Sequence, residues 1–341
     1  MTRTWWFQPA RQRSVALLRS CAGKPLLPLK WSFRWLFRVT TRRQRRAMVR
    51  FPGILAAYRS IAPFLLSACS EDGITCARVN GLKMYMDPDE KPNNTASFLW
   101  GLYEPATTAV FRQLVTGGDV VVDVGAHWGY FTLLAASLCG MRGRVFAFEP
   151  YPGSLAVLKK NVEANGLTNV VMVQKAVSNR TGTAKLLESP STTGHSLDTV
   201  ASRRLERTPG GSSAKESIAV DTVALDDFFA RTSVQPRLIK MDIEGAEPLA
   251  LAGMECLIRR NPSLVLITEF NPSYLDAGAA TDFLDRLQAC GFDVAIIDED
   301  RRRLAAGPKA AVLQRLLDME SACNLLATRD RSLFARLRLR A

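Results

Sequence analysis

The chain has 341 residues, 47% of them hydrophobic and 23% charged, with 45 Lys+Arg against 32 Asp+Glu and a formal net charge of +13. Those proportions exclude wholesale disorder, and the length suits one large α/β domain with appendages or two modest ones. The charge surplus is local: residues 1–60 hold fourteen basic side chains and no acid, whereas the rest carries 31 basic and 32 acidic groups. The net charge therefore says little about the chemistry of the body.

Residues 1–70 form a basic extension for which several readings stand open. Phe51–Cys69 is apolar, but Arg59 and Pro63 interrupt it, so it makes a poor spanning helix. It also lies too far from the start for a secretory signal. Trp31–Arg38 mixes aromatics with arginine, which suits peripheral contact with the inner membrane face through residues 1–60. A disordered extension, or a true start at Met48, fits equally. Seven cysteines without a CxxC pair, read with only two histidines, argue against a zinc site and a disulfide framework. A reducing, cytoplasmic compartment is expected.

Residues 71–117 read as a hairpin and helical elements. Ile74–Met86 alternates around Asn80-Gly81, a strong hairpin signal, and 94–115 is helical material broken at Glu104-Pro105. From residue 118 to about 330 strands and helices alternate. Strands are expected at 119–124, 144–148, 169–174, 238–243, 263–269, 292–297 and 324–328. Helices are expected at 128–139, 154–165, 246–258, 281–290 and 309–318. Residues 178–217, rich in Ser, Thr and Gly, read as a long loop of the kind that serves as a lid or binding loop. Residues 331–341 are a basic tail. The alternation implies a doubly wound, mostly parallel Rossmann-like α/β sheet with helices on both faces.

In such a sheet ligands sit beyond the carboxyl ends of the strands. The first strand ends in Asp123-Val-Gly-Ala-His-Trp-Gly129, where only Gly125 and Gly129 fit a nucleotide-binding pattern. That disfavours a nicotinamide cofactor, and Asp123 would repel a pyrophosphate yet suit an ammonium group. Glu149 ends the second strand, where a carboxylate can accept both hydroxyls of a ribose. An adenosyl cofactor with an amino-acid tail meets both demands. The bland alternative is that Asp123 fixes a turn and Glu149 caps a helix.

These residues resemble the FkbM-type methyltransferases, a branch of the class I S-adenosylmethionine-dependent enzymes. The resemblance runs from about Val79 to Ile297. Its carriers are Gly101–Pro105, Val121–Gly129, Phe148-Glu149-Pro150, Leu158–Gly166, Thr222–Asp226, and above all Ile239-Lys-Met-Asp-Ile-Glu-Gly-Ala-Glu247. Ser263–Glu269 follows, and Asn324–Ala327 extends the match. His127 departs from the asparagine usual in the family. The resemblance implies seven strands with a reversed last one, and methyl transfer to a hydroxyl of a sugar, glycan or secondary metabolite. It also implies S-adenosylmethionine as cofactor. Asp123, Gly125 and Gly129 would line its methionine end, Glu149 the ribose and Ser178 the adenine, with Glu104 helping to hold the methionine amine.

An alcohol acceptor needs a general base or a cation that lowers its pKa. Asp242, Glu244 and Glu269 at strand ends can act as base, as hydroxyl acceptors or as ligands of a divalent cation. His195, in the long loop, is an alternative base. Glu244 and Glu247 also suit the N-terminus of the following helix, and Lys240 suits a structural ion pair. Two other functions compete. An RNA methyltransferase would use the basic arm on phosphates, but the nearly neutral body lacks an aromatic-basic platform, so nucleic acid is disfavoured as a partner. A methyltransferase-like binding module would not need Asp123, Glu149 and Asp242 together.

Overall fold

In this computed structural model the described residues are 70–71, 74–86, 98, 103–189, 194–199, 216–319 and 321–339. The basic extension lies outside them, and with it the membrane-contact and Met48 expectations. The chain divides into two units, Met1–Ser70 and Glu71–Ala341; everything below concerns the second. No helix among the described residues is long and apolar enough to cross a membrane.

Asn80 and Gly81 both take positive φ (55° and 87°), the pattern of a tight type I′ turn, and join Ile74–Val79 (β1) to Leu82–Met86 (β2). Pro105–Leu114 (α1) leads into Val120–Val124 (β3), Tyr130–Cys139 (α2), Arg144–Phe148 (β4), Pro152–Ala164 (α3) and Val170–Val173 (β5). A second, four-stranded sheet follows, built from Ala176–Val177 (β6), Gly182–Leu187 (β7), Ser196–Leu197 (β8) and Ser217–Val223 (β9). The chain continues through Leu225–Phe228 (α4), Leu238–Met241 (β10), Glu247–Ala252 (α5), Glu255–Arg260 (α6) and Val265–Phe270 (β11). Ala277–Ala289 (α7), Asp293–Asp298 (β12), Arg303–Ala306 (β13), Lys309–Leu317 (α8), Cys323–Thr328 (β14) and Leu333–Arg336 (α9) complete it.

The main sheet has eight strands in the order β13-β12-β14-β11-β10-β3-β4-β5. From β11 to β5 every pair is parallel, while β14 runs antiparallel between β11 and β12. The reversed strand is therefore present. The sheet exceeds the expected seven strands because β13 folds back on β12 as an edge hairpin. Alternate residues of each strand feed opposite layers. Val122, Val124, Ile239, Met241 and Leu266 pack with α5 to α8, whereas Val121, Leu238, Val265 and Ile267 pack with α1, α2 and the β1–β2 hairpin. Two-sided burial explains why these strands read as unbroken apolar runs.

Three local expectations are revised. The predicted long loop begins with strand: β7 pairs antiparallel with β9 from Leu187↔Ser217 to Gly182↔Thr222, and only residues 190–193 and 200–215 lie outside the described set. The predicted helix 246–258 is two short helices, because Gly253 passes so close to Ser178 that a Cβ there would stand 2.0 Å from its carbonyl oxygen. The basic tail carries α9, whose Leu333 is buried against the α1–α2 layer, and Arg338 hydrogen-bonds Gln113 of α1 through its main chain.

Candidate active site

The carboxyl ends of β3, β4, β10 and β11 open onto one cleft. Parallel pairing puts Asp123 in register with Lys240, and Glu269 is paired with Asn324 across the β11–β14 boundary. Strand alternation directs all four side chains toward the layer that holds α1 and α2. A polar row thus replaces the apolar one at the strand tips.

At the β3 end, Asp123 is buried and its Oδ2 accepts from Thr132 Oγ1 at 2.6 Å. Burial raises its pKa. Gly125 follows at φ 80°, and a Cβ there would lie 1.9 Å from the main-chain oxygen of Asp242. Only glycine lets this turn lie against the end of β10. Gly129, at φ 93°, is off the cleft wall: a Cβ there would meet Leu158 of α3 at 2.4 Å. Its smallness lets the turn pack closely against α3. Trp128 is likewise fully buried, beneath the His127 ring at 4.4 Å between centroids.

Glu149, at the end of β4, accepts the His127 N–H at 2.8 Å on one oxygen and the Tyr151 N–H at 2.9 Å on the other. Each oxygen keeps acceptor capacity for a ligand hydroxyl. Burial pushes its pKa up to about 7. Beyond it, Ala176, Val177, Leu186 and Leu197 of the small sheet give the cleft an apolar wall. His195 belongs here. Its ring sits 4.0 Å from that of Tyr151, and its Nδ1 accepts the Ser189 N–H. The small sheet therefore carries it to the Glu149 side, away from its expected place over the strand-tip carboxylates. Ser178 is not on the wall. Its N–H extends the pairing to Val223, its hydroxyl meets Asn179, and its backbone faces Gly253. Lys175, Ala176 and Val177 line the cleft in its stead.

The opposite end is crowded with carboxyl groups. Lys240 Nζ donates to Asp242 Oδ2 at 2.7 Å and lies 4.9 Å from the Phe131 ring centroid. Burial alone would lower the pKa of this ammonium, but Asp242, then Glu104 and Asp123, outweigh it and push it up. Glu104 lies just before α1 and accepts from Asn324 Nδ2 at 2.9 Å, with its pKa driven up to about 7 by burial. Glu244 takes φ 54° in the turn after β10 and accepts from the Tyr274 hydroxyl at 3.0 Å. Burial, then Asp242, drive its pKa up to about 8. Glu269 is raised well above the carboxylate range for the same two reasons, and its Oε2 is buried without a hydrogen-bond partner. Glu247 accepts the N–H groups of Ile243 and Gly245 and so fastens the turn, which matches its expected place at a helix start.

The cleft thus gathers Glu104, Asp123, Gly125, Glu149, Asp242, Glu244, Glu269 and His195, while Gly129 and Ser178 stay outside its wall. The sequence marked Lys240 only as an ion-pair residue and assigned no role to Tyr103, which lines the cleft, to Tyr274 or to Asn324. The signal for Lys240 was a lone charge inside the otherwise apolar stretch 238–241. Asn324 was visible only as part of the stretch 324–327 that extends the resemblance, and Tyr274 gave no signal, since it arrives from a loop.

The sheet order with its reversed strand, and the acid-tipped first two strands of its parallel half, define a Rossmann-like methyltransferase fold. The sequence profile described as the methyltransferase FkbM domain matches residues 123–294, half of the chain, which belongs to that family. Among curated proteins it is similar to the 31-O-demethyl-FK506 methyltransferase FkbM of Streptomyces tacrolimicus. That match is 34% identical over 158 residues and covers 40% of this chain and 60% of that protein. The hexuronic acid methyltransferase AglP of Haloferax volcanii is 28% identical over 137 residues, covering 40% and 50% respectively. The chain therefore spans little more than half the length of these relatives. Among solved structures, an FkbM methyltransferase from Methylobacillus flagellatus aligns with a TM-score of 0.37 at 14% identity, over 80% of this chain and 58% of that one.

Proposed function

We propose that the protein is an S-adenosylmethionine-dependent O-methyltransferase acting on a hydroxyl of a sugar, glycan or secondary metabolite. The observation that carries this reading is the polarity of the cleft. It has a paired-oxygen acceptor, Glu149, at one end and the Asp242 cluster at the other, joined by the glycine turn at 125. The relatives named above, one a hexuronic acid methyltransferase, support a hydroxylated acceptor.

The residues fit the cofactor. Glu149 keeps lone pairs for two ribose hydroxyls, the small-sheet wall suits an adenine, and Glu104 with Asp123 suits an ammonium. When bound, S-adenosylmethionine supplies a methyl group already activated on a sulfonium, so the protein must orient the acceptor and remove its proton. Asp242 is the base in this reading: Lys240 binds its Oδ2, which leaves Oδ1 clear of that bond to meet an acceptor hydroxyl. Glu244 and Glu269, whose carboxyl groups burial biases toward the protonated form, donate to or accept from neighbouring acceptor hydroxyls. His195 takes part in holding the cofactor rather than in proton transfer.

A divalent cation is a second reading of the same carboxylates. Asp242, Glu247 and Glu269 bring ligand oxygens within 4.8 Å of one another, a spacing an oxygen-ligated cation can use. The Lys240 ammonium already neutralises Asp242, and both Glu247 oxygens hold main-chain N–H groups. Proton transfer to Asp242 is therefore placed first. Calorimetric titration with S-adenosylmethionine and with NAD tests the cofactor reading. A signal with the first alone is expected; tight NAD binding without it would overturn the assignment.

A further inference from the structure

An amino-acid cofactor end brings an α-carboxylate as well as an ammonium, and the acid-rich end of this cleft needs a donor for it. Main-chain N–H groups of a glycine turn often fill that role at a helix start. Here they are spent. The N–H groups of Gly125 and Ala126 both donate to Phe148 O, that of His127 to Glu149, and that of Gly129 to Ala126 O. Four of the five amides from 125 to 129 are therefore committed within the turn.

The side chains offer one substitute. Among the described cleft residues the only lysines are Lys175 and Lys240, and no arginine is present. Lys175 faces Asp221 of the small sheet at 3.8 Å, on the apolar-wall side. Lys240 stands in register with Asp123, is pulled on by Glu104, and is 2% exposed. An ammonium has three N–H donors, and the bond to Asp242 uses one. Holding a charged lysine so deeply is costly unless its remaining donors are satisfied.

We propose that Lys240 holds the α-carboxylate of the methionine end of S-adenosylmethionine, opposite Glu104 and Asp123, which take its ammonium. The inference rests on the cofactor reading above and adds a cofactor-binding residue on the strand otherwise occupied by the base. The zwitterionic end then closes a charge set of alternating sign: acid, ammonium, carboxylate, lysine, Asp242.

The test compares S-adenosylmethionine with its decarboxylated form, which keeps sulfonium, ribose, adenine and amine. Calorimetry on the wild-type chain should show the intact cofactor binding at least about tenfold more tightly. Lys240→Met should weaken intact cofactor by about ten- to a hundredfold while changing the decarboxylated form by less than about threefold. A purely structural lysine would weaken both alike, and that result in a folded variant, verified by its thermal transition, would overturn the proposal. Equal wild-type affinity for the two compounds would also overturn it, and needs no variant to fold. Wild-type protein that binds neither compound would instead bring down the cofactor reading itself.

Discussion

At the scale of single residues, Asp242 and Lys240 divide the labour of one ion pair. Asp242 closes β10, donates its main-chain N–H to Val124 O, and turns its carboxylate into the cleft. Asp242→Asn keeps the shape and removes the proposed base. Turnover of a hydroxyl acceptor should fall by more than about a hundredfold, while cofactor affinity measured by calorimetry stays within about threefold. Unchanged turnover would end the proposed role. Chelation separates the cation reading: protein treated with EDTA should keep its activity, and activity restored only by added Mg2+ would move catalysis to a metal.

Two junctions decide whether the elements reach the geometry the site needs. Gly125 is one. Adding a methyl group would force a contact of 1.9 Å with the Asp242 carbonyl at a positive φ, so neither the side chain nor the backbone can yield cheaply. Gly125→Ala should lower unfolding free energy by more than about 3 kcal/mol in urea titration. The start of α1 is the other. Pro105 occupies its first turn, and Glu299 from the β12 end accepts the N–H groups of Ala106 and Thr107 at 2.7 and 2.8 Å. This carboxylate caps the helix from 192 residues away and fixes the adjacent Glu104. Glu299→Ala should cost about 1–3 kcal/mol and weaken cofactor binding as well. An effect on stability alone would separate Glu104 from the cap.

Over the whole folded body, the buried carboxyl groups set an unusual pH response. Burial holds the pKa of Glu104, Glu149 and Glu247 at about 7 and that of Glu244 at about 8, against 4.5 ordinarily. The native state therefore binds more protons than the unfolded chain between about pH 4.5 and 8. The stability this confers is present at the acid side of that window and lost as pH rises through it. The melting temperature of the ligand-free protein should fall by more than about 5 °C between pH 5.5 and 8.5. A rise over that range would contradict the burial of these groups. The opposite sense is expected for the proposed ribose contact, because Glu149 becomes a full acceptor only above its pKa.

Much of this was legible in the residues. Largely apolar stretches at 119–124, 144–148 and 238–243 announced strands buried on both faces, and acids at or near their ends announced the site. Lengths were less secure. Residues 246–258 have helical composition throughout, and only the close approach of Ser178 to Gly253 shows why the helix breaks there. The small sheet hid in a polar stretch because β7 and β9 are separated by residues 188–216, too long a connection to read as a tight-turn hairpin.

The sequence by itself determined the strand-helix order, the parallel sheet, and the residue types at the strand tips, because periodicity and end residues are local properties of a chain. Tertiary structure alone decided which tips face one another. Register placed Lys240 beside Asp123, and the reversed strand brought Asn324 to Glu104. Packing turned Gly129 toward Leu158, took Ser178 out of the wall and carried His195 to the Glu149 side. Those outcomes depend on contacts between residues far apart in the chain, and on desolvation, which no local pattern encodes.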